Sequence, residues 1–192
     1  MRAKAARSLG LIRRTLGKCN QEVKETAYNT LVRPQLEYAT SAWNPHTERN
    51  NRIVESVQRQ AARFVMHDYH RESSVTDMLN TLHWDTLQTR RLLHQTEMFY
   101  HIHCGMVNIN PPSEIERLPR PARSLSSHSH NLSYKQPYTR VDCYLYSMYP
   151  RAIHVWNRLP VAAVTADSIH GFRRAALPTV RGMMPPPFLK TT

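Results

Sequence analysis

Histidine and cysteine side chains are the first candidates for chemistry in this sequence, because both bind zinc in proteins. His101, His103 and Cys104 lie close together, as do His67 and His70. Neither group has the spacing of a closed zinc site, and on a helix His101 and His103 point to different faces. The chain contains 11 histidines, so chance clustering explains both groups better. We therefore expect neither a metal nor another cofactor in this chain.

Phosphate-loop and nucleophile chemistry are not supported either. The segment from Gly10 to Gly17 and Lys18 has too many residues between its glycines for a phosphate loop, and it carries a helical apolar pattern. There is no Gly-x-Ser-x-Gly, and no cysteine has an ordered base beside it. The five aspartates are scattered, whereas two-metal phosphoryl transfer needs carboxylates that converge on paired cations. We predict that the chain is not an enzyme on its own.

Positive charge is the strongest signal in the composition. The 192 residues include 26 Lys and Arg against 14 Asp and Glu, a formal net charge of +12. Residues 1–21 hold six basic residues and no acidic one, residues 22–116 hold nine and twelve, and residues 117–192 hold eleven and two. Two basic ends around a mildly acidic middle indicate a polyanionic partner, with nucleic acid ahead of an anionic membrane surface.

Basic side chains on helices suit contact with the nucleic-acid backbone, because they reach phosphate oxygens without reading bases. The candidate nucleic-acid-binding residues are Arg7, Arg13, Arg14, Lys18, Arg52, Arg59, Arg63, Arg140, Arg151 and Arg158. The alternative for each one is a solvated helix face with no specific ligand. Five tyrosines between positions 134 and 149 form either a stacking platform for single strands or, as β-propensity favours, packed strand residues.

Helical periodicity and capping signals position these residues in the first part of the chain. Ala5, Leu9, Ile12 and Leu16 form one apolar stripe of a basic amphipathic helix that ends near Gly17. Further helices are expected after the caps Asn20, Thr47 with Asn50, Ser74, and Asp85 or Thr86. We expect a kink or an end at Pro34, helix again over residues 35–43 beyond it, and a stop at Gly105. Residues 1–105 are thus predicted to be one helical domain.

The rest of the chain is expected to be less regular. Residues 106–130 are rich in Pro, Ser and Arg and predict a linker. Residues 131–177 predict a small α+β segment, with a short hairpin followed by helices that begin at Pro150 and after Asp167. Residues 178–192 predict a disordered tail. The predicted fold class is therefore mainly α, a helical bundle followed by a small α+β segment.

Cysteine usage and hydropathy suggest a compartment. Three widely spaced cysteines form no disulfide framework, which favours a reducing environment. The N-terminus lacks the apolar region of a secretory signal, and no run approaches the length of a membrane span. We expect an intracellular protein, nuclear or cytoplasmic, that is neither secreted nor in a membrane. The Arg-rich N-terminus leaves a mitochondrial transit peptide as an alternative.

Five stretches of the sequence form a pattern when they are taken in order: KAARSLGLIRRTL, VKETAYNTLVRPQLEYATSAWNPH, IVESVQRQAARFV, SSVTDMLNTLHWDTLQTRR and TRVDCYLYSMYPRAIHVWNRLP with the later FRRAAL. Together they resemble the C-terminal region of reverse transcriptases from non-LTR (LINE-like, jockey-type) retrotransposons. The resemblance covers roughly Lys4 to Leu177. The family signature of this region is matched by Ser147, Tyr149, Pro150, Arg151, Ile153, Trp156, Asn157, Leu159 and Pro160, while Met148 departs from its common aromatic residue.

The resemblance implies the thumb-like helical bundle and post-thumb region of an RNA-directed DNA polymerase of a mobile element. The fingers and palm of such enzymes, with the metal-binding aspartates and an aromatic-Ala-Asp-Asp motif, lie upstream, and that motif is absent from this sequence. A start at Met1, within a family helix, indicates a fragment. The intact polymerase would use Mg²⁺, and the implied partners are RNA, DNA or an RNA–DNA hybrid and the fingers and palm.

Two interpretations of this region stay open. The chain either holds template–primer nucleic acid by its backbone, or it is an interaction module that packs on the polymerase core and binds nucleic acid weakly alone. In the signature stretch, Ile153, Trp156 and Leu159 are expected to form the buried face of a short helix. Arg151 and Arg158 are expected to remain available to phosphate.

Overall fold

The chain is mainly α-helical, as its periodicity predicts. A computed structural model describes residues 2–118 and 130–183. The helices are α1 (Arg2–Thr15), α2 (Gln21–Ala27), α3 (Arg33–Glu37), α4 (Glu48–Met66), α5 (Val75–Thr81), α6 (Leu87–His103), α7 (Asp142–Leu145), α8 (Met148–Trp156), α9 (Val161–Val164) and α10 (Ile169–Gly182).

Short polar side chains begin several helices where the sequence predicts them. Each of three predicted caps accepts a hydrogen bond from the backbone N–H three residues later: Asn20, Thr47 and Ser74. Helix α10 is capped by Ser168 and not by the neighbouring Asp167, because the Ser168 hydroxyl accepts from the N–H of Gly171 at 3.2 Å. These bonds satisfy N–H groups that have no partner inside the helix.

The helix is interrupted just before Pro34, where the sequence predicts a kink or an end. A π-helical turn, Tyr28–Val32, joins α2 to α3, and the backbone N–H of Arg33 donates to the carbonyl of Tyr28. Since proline has no N–H to donate, the regular α-helical ladder is interrupted here. The helix predicted to continue through residue 43 ends at Glu37, and Ala39 then takes a left-handed backbone conformation, φ 52°.

The chain forms two compact units. The described residues of the first unit are 2–38 and 45–90, and those of the second are 39–44, 91–118 and 130–183. The boundary falls inside α6, between Arg90 and Arg91, whereas the predicted helical domain ends at residue 105. The physical reason is that the later part of α6 buries Leu92, Phe99 and Tyr100 in a core of its own.

The first unit buries the predicted stripe of α1 against α4 and the region around Pro34. Its fully or nearly buried residues include Ala5, Leu9, Ile12, Tyr28, Val32, Leu36, Val57, Ala61 and Phe64. Tyr28 stacks on Trp84 with ring centres 4.5 Å apart and donates its hydroxyl to Gln58 Oε1 at 3.0 Å. Burial raises the pKa of Tyr28 above its usual range, so this hydroxyl stays protonated.

The second unit is built around Trp156, which is fully buried. Its ring lies 5.3 Å from that of Phe99, 4.7 Å from that of His103 and 6.2 Å from that of Phe172, centre to centre. The indole N–H donates to the carbonyl of Leu132 at 2.8 Å. The predicted burial of Ile153, Trp156 and Leu159 is confirmed, although Leu159 lies just after the end of α8.

The predicted hairpin is wrong. Where an α+β segment was expected, the structure has an isolated antiparallel bridge between Arg117 and Tyr134, and residues Asp142–Leu145 form a short helix. The side chain of Asn157 takes the place of a pairing strand: its Oδ1 accepts from the Tyr134 N–H at 2.9 Å and its Nδ2 donates to the Tyr134 carbonyl at 2.8 Å. Tertiary contact has overridden β-propensity here.

The predicted tail differs as well. Residues 178–182 belong to α10, which continues through Pro178 because Phe172, Ala176 and Val180 are buried on one face. Residues 184–192 of that tail, and residues 119–129 of the predicted linker, lie outside the described part of the chain.

Candidate nucleic-acid interface

Helix α1 presents the largest group of predicted phosphate ligands. Burial of Ala5, Leu9 and Ile12 sets the rotation of the helix, so its cations face solvent. Exposed basic residues on α1 and the turn after it include Arg7, Arg13, Arg14 and Lys18. We call these four the α1 cations. These are all of the nucleic-acid-binding residues predicted within the first 21 residues.

The α1 cations carry no ion pair within residues 2–118 and 130–183. The reason lies in the sequence, which has no Asp or Glu before Glu22. Arg52 on α4 differs, because Glu48 one turn earlier pairs with it. Since an unpaired surface cation gains more from a phosphate than one already neutralised, the α1 cations are better candidates for phosphate contact than Arg52.

Two of these cations line a cleft of about 420 Å³ in the first unit. We call it the arginine cleft; its described lining residues are Gly10, Arg13, Arg14, Gly17, Phe64, His67 and Tyr69. The Arg13 guanidinium lies over the Tyr69 ring, 5.7 Å from the ring centre, and the His67 ring meets that of Tyr69 at 5.8 Å in an edge-on arrangement. The cleft therefore combines positive charge with an aromatic surface.

The loop after α4 positions Tyr69 beside α1. The helix ends at His67 in a left-handed conformation, φ 53°. Arg63 then donates to the carbonyls of His70 at 2.8 Å and Ser73 at 3.1 Å. Arg63, a predicted phosphate ligand, is thus a positioning residue of this loop, because its guanidinium is occupied by main-chain oxygens. Sequence reasoning missed Tyr69, because only the fold brings this loop beside α1.

The carboxylate of Asp68, between the cleft residues His67 and Tyr69, is hydrogen-bonded within the loop after α4. Hydrogen bonds from the Ser73 side chain and the His70 N–H lower the pKa of Asp68, and the second of these bonds is 3.0 Å long. The Asp68 carboxylate is thereby held as an anion that supports the loop. Among the described lining residues of the cleft itself there is no carboxylate.

Arg59 is the remaining candidate on α4. It is exposed, one turn before Arg63 on the same side of the helix, and within the described residues it makes no ion pair. It keeps a side chain that can reach phosphate.

Arg151 contradicts the expectation that it is available to phosphate. It is 2% exposed and donates through Nη1 to the carbonyl of Asn44 at 3.1 Å. Burial, together with the nearby charge of Arg91, lowers the pKa of Arg151 to about 10. Arg91 also bonds to Asn44, through Nε to Oδ1 at 3.2 Å. The two arginines therefore tie residues 39–44 into the second unit.

The other candidates in the second unit are at the surface but do not form a cluster. Arg140 and Arg158 are exposed, and Arg158 donates to the carbonyl of His154 at 2.9 Å. The tyrosine platform is not assembled, because Tyr134 and Tyr146 are buried while Tyr138 is 85% exposed in a loop. The packing alternative holds for the two buried rings, although they do not lie on strands.

The described residues do not fit a metal centre. No three His, Cys, Asp or Glu side chains within ranges 2–118 and 130–183 lie close enough to hold an ion, so no chemistry of Mg²⁺ is assigned to them. No helix in the described ranges has the length and apolarity needed to cross a membrane.

Comparison of the chain with protein-family models, with curated proteins and with solved structures finds no match. Function is therefore argued from the residues and their geometry.

Proposed function

We propose that this chain is the thumb-like and post-thumb region of a non-LTR retrotransposon reverse transcriptase. It binds the backbone of template–primer nucleic acid through the α1 cations, without the palm catalytic site and without polymerase activity of its own. The resemblance of five ordered stretches and the mainly helical fold support this proposal. The localisation proposed with it is nuclear or cytoplasmic.

One observation carries the binding function: four exposed cations on α1 and its following turn, without an ion pair in the described chain. A helix anchored by an apolar stripe presents such charges at fixed positions, so several phosphates of one backbone can be contacted together. The signature stretch has a different role in this proposal. Trp156 and Asn157 build the core of the second unit, so the stretch is scaffold with Arg158 at its edge.

Salt-dependent binding tests the proposal. Neutralising four phosphates gives a slope of about −3.6 in log affinity against log salt, so affinity for an RNA–DNA hybrid should fall about 150-fold between 50 and 200 mM salt. The measurement is fluorescence anisotropy with a labelled hybrid and the full chain. A flat salt response would refute the proposal.

A matched pair of variants locates the interface. Replacing Arg7, Arg14 and Lys18 by Ala should reduce the salt slope by about 2.7, because each lost phosphate contact removes about 0.9. The control replaces three exposed cations on other helices by Ala, with the same change in net charge: Arg49 on α4 and Arg174 and Arg181 on α10. Equal effects of the two triple variants would mean that binding depends on net charge alone.

The interaction module remains the second candidate, and an apolar groove favours it. A cleft of about 370 Å³ in the first unit is lined by Lys4, Pro34, Gln35 and Tyr38, and Tyr38 is 70% exposed. Leu11 and Leu31 are each 54% exposed. Under this alternative, the fingers and palm of the same class of polymerase cover these side chains.

The two candidates differ in which variants act. For an interaction module, Leu31→Ser with Tyr38→Ser should weaken binding to a purified fingers–palm fragment of that class, and the triple α1 variant should not. The folded chain would then bind the hybrid only weakly, and the triple α1 variant would leave that weak binding unchanged.

A further inference from the structure

The arginine cleft contains an aromatic ring that backbone binding does not require. Tyr69 is 50% exposed even though Arg13 lies over its ring at 5.7 Å. The His67 ring meets it in an edge-on arrangement, with ring centres 5.8 Å apart. Arg13 and His67 hold the ring in place, and half of the tyrosine surface stays open to solvent.

The size and charge of the cleft indicate its ligand. A volume of about 420 Å³ lies in the range of about 300–1,000 Å³ that small-molecule sites occupy. Arg13 and Arg14 supply positive charge, the described lining includes no carboxylate, and Phe64 adds an apolar wall. A ligand that suits all three features is anionic at one end and flat and aromatic at the other, as a nucleotide is.

We propose that the arginine cleft binds one unpaired nucleotide, whose base stacks on the exposed face of Tyr69 and whose phosphate contacts Arg14. This inference rests on the proposed function, because it gives the same basic surface a preference for an unpaired end beside the duplex. Stacking on an aromatic side chain tolerates any base, so the site does not read sequence.

Three labelled ligands and two variants test the inference on the full chain. The ligands are a blunt RNA–DNA hybrid, the same hybrid with a three-nucleotide single-stranded end, and that end with an abasic first nucleotide. Tyr69→Leu removes the ring and keeps an apolar side chain, whereas Tyr69→Phe keeps the ring and is the control.

We expect the overhang to bind about tenfold more tightly than the blunt hybrid, as one base stacked on an aromatic ring implies. Tyr69→Leu or the abasic nucleotide should each remove this factor, and the two together should remove no more. Tyr69→Phe should retain it.

The other possible outcomes distinguish failure of the nucleotide site from failure of the proposed function. The nucleotide site is refuted if the overhang binds no more tightly than the blunt hybrid, or if its tighter binding persists in Tyr69→Leu. The proposed function still stands in either case, provided that the blunt hybrid binds with steep salt dependence. If the folded chain binds none of the three ligands, both are refuted.

Discussion

Replacing Asn157 by Ala should destabilise the second unit strongly. The Asn157 carboxamide is buried and satisfies both backbone groups of Tyr134, at 2.9 Å to the N–H and 2.8 Å to the carbonyl. The alanine variant leaves one buried donor and one buried acceptor without these bonds. Each costs about 1–3 kcal/mol, so we expect a loss of about 3 kcal/mol in the free energy of unfolding.

Urea unfolding measures this loss. With an m-value of about 1.5 kcal/mol/M, 3 kcal/mol lowers the midpoint by about 2 M. Hydrogen exchange read by mass spectrometry on peptides of the second unit assigns the transition to that unit. The matched control is Asn131→Ala, the same substitution at an exposed position, which should shift the midpoint by less than about 0.3 M.

Asn157→Asp provides an internal check on the mechanism. The carboxylate keeps the acceptor for the Tyr134 N–H but faces the Tyr134 carbonyl without a donor, so the pKa of this carboxyl group should be raised. At pH 7 the substitution should destabilise the second unit at least as much as Asn157→Ala does. Protonation restores the donor, so the deficit relative to the original chain should shrink as pH falls. A loss below about 1 kcal/mol for Asn157→Ala, at unchanged m-value, would show that the amide is not the partner we describe.

Three further predictions concern stability. Burial lowers the pKa of His103 and of His154 to about 4, so each ring is neutral in the fold. Their contribution to the free energy of unfolding is complete above the unfolded pKa of about 6.5 and is lost between about pH 6.5 and 4, roughly 1 kcal/mol for each histidine after allowance for partial exposure. Replacing both histidines by Gln should therefore reduce the change of the urea midpoint with pH across that range. Arg151→Ala should cost about 2 kcal/mol in thermal unfolding, because it removes the buried bond to Asn44. Gly105→Ala should cost about 1 kcal/mol at φ +67°, and Gly105→Asn less; equal losses would argue against strain.

Local signals predicted much of the first unit. Sequence patterns predicted the stripe of α1, the caps Asn20 and Ser74 and the interruption of the helix at Pro34, because each depends on residues within one or two turns. Sequence also sufficed to predict that the α1 cations lack nearby carboxylates. Sequence patterns could not predict Tyr69 as a site residue, because its partner Arg13 lies 56 positions earlier in the chain.

The second unit depended more on tertiary contacts. Tyrosine and valine content predicted a hairpin, yet the carboxamide of Asn157 bonds to the backbone of Tyr134 where a strand partner was expected. Arg151 reads as a surface cation in sequence but is buried, because Asn44, 107 positions away, accepts its hydrogen bond.

The sequence by itself determined the helical class, several helix starts and the charge of α1, since periodicity, capping and composition act over short distances. Tertiary structure alone decided which cations remain at the surface, where one core ends and the next begins, and which ring lies beside Arg13. Those outcomes depend on burial and on hydrogen bonds between residues far apart in the chain, and no local pattern encodes them.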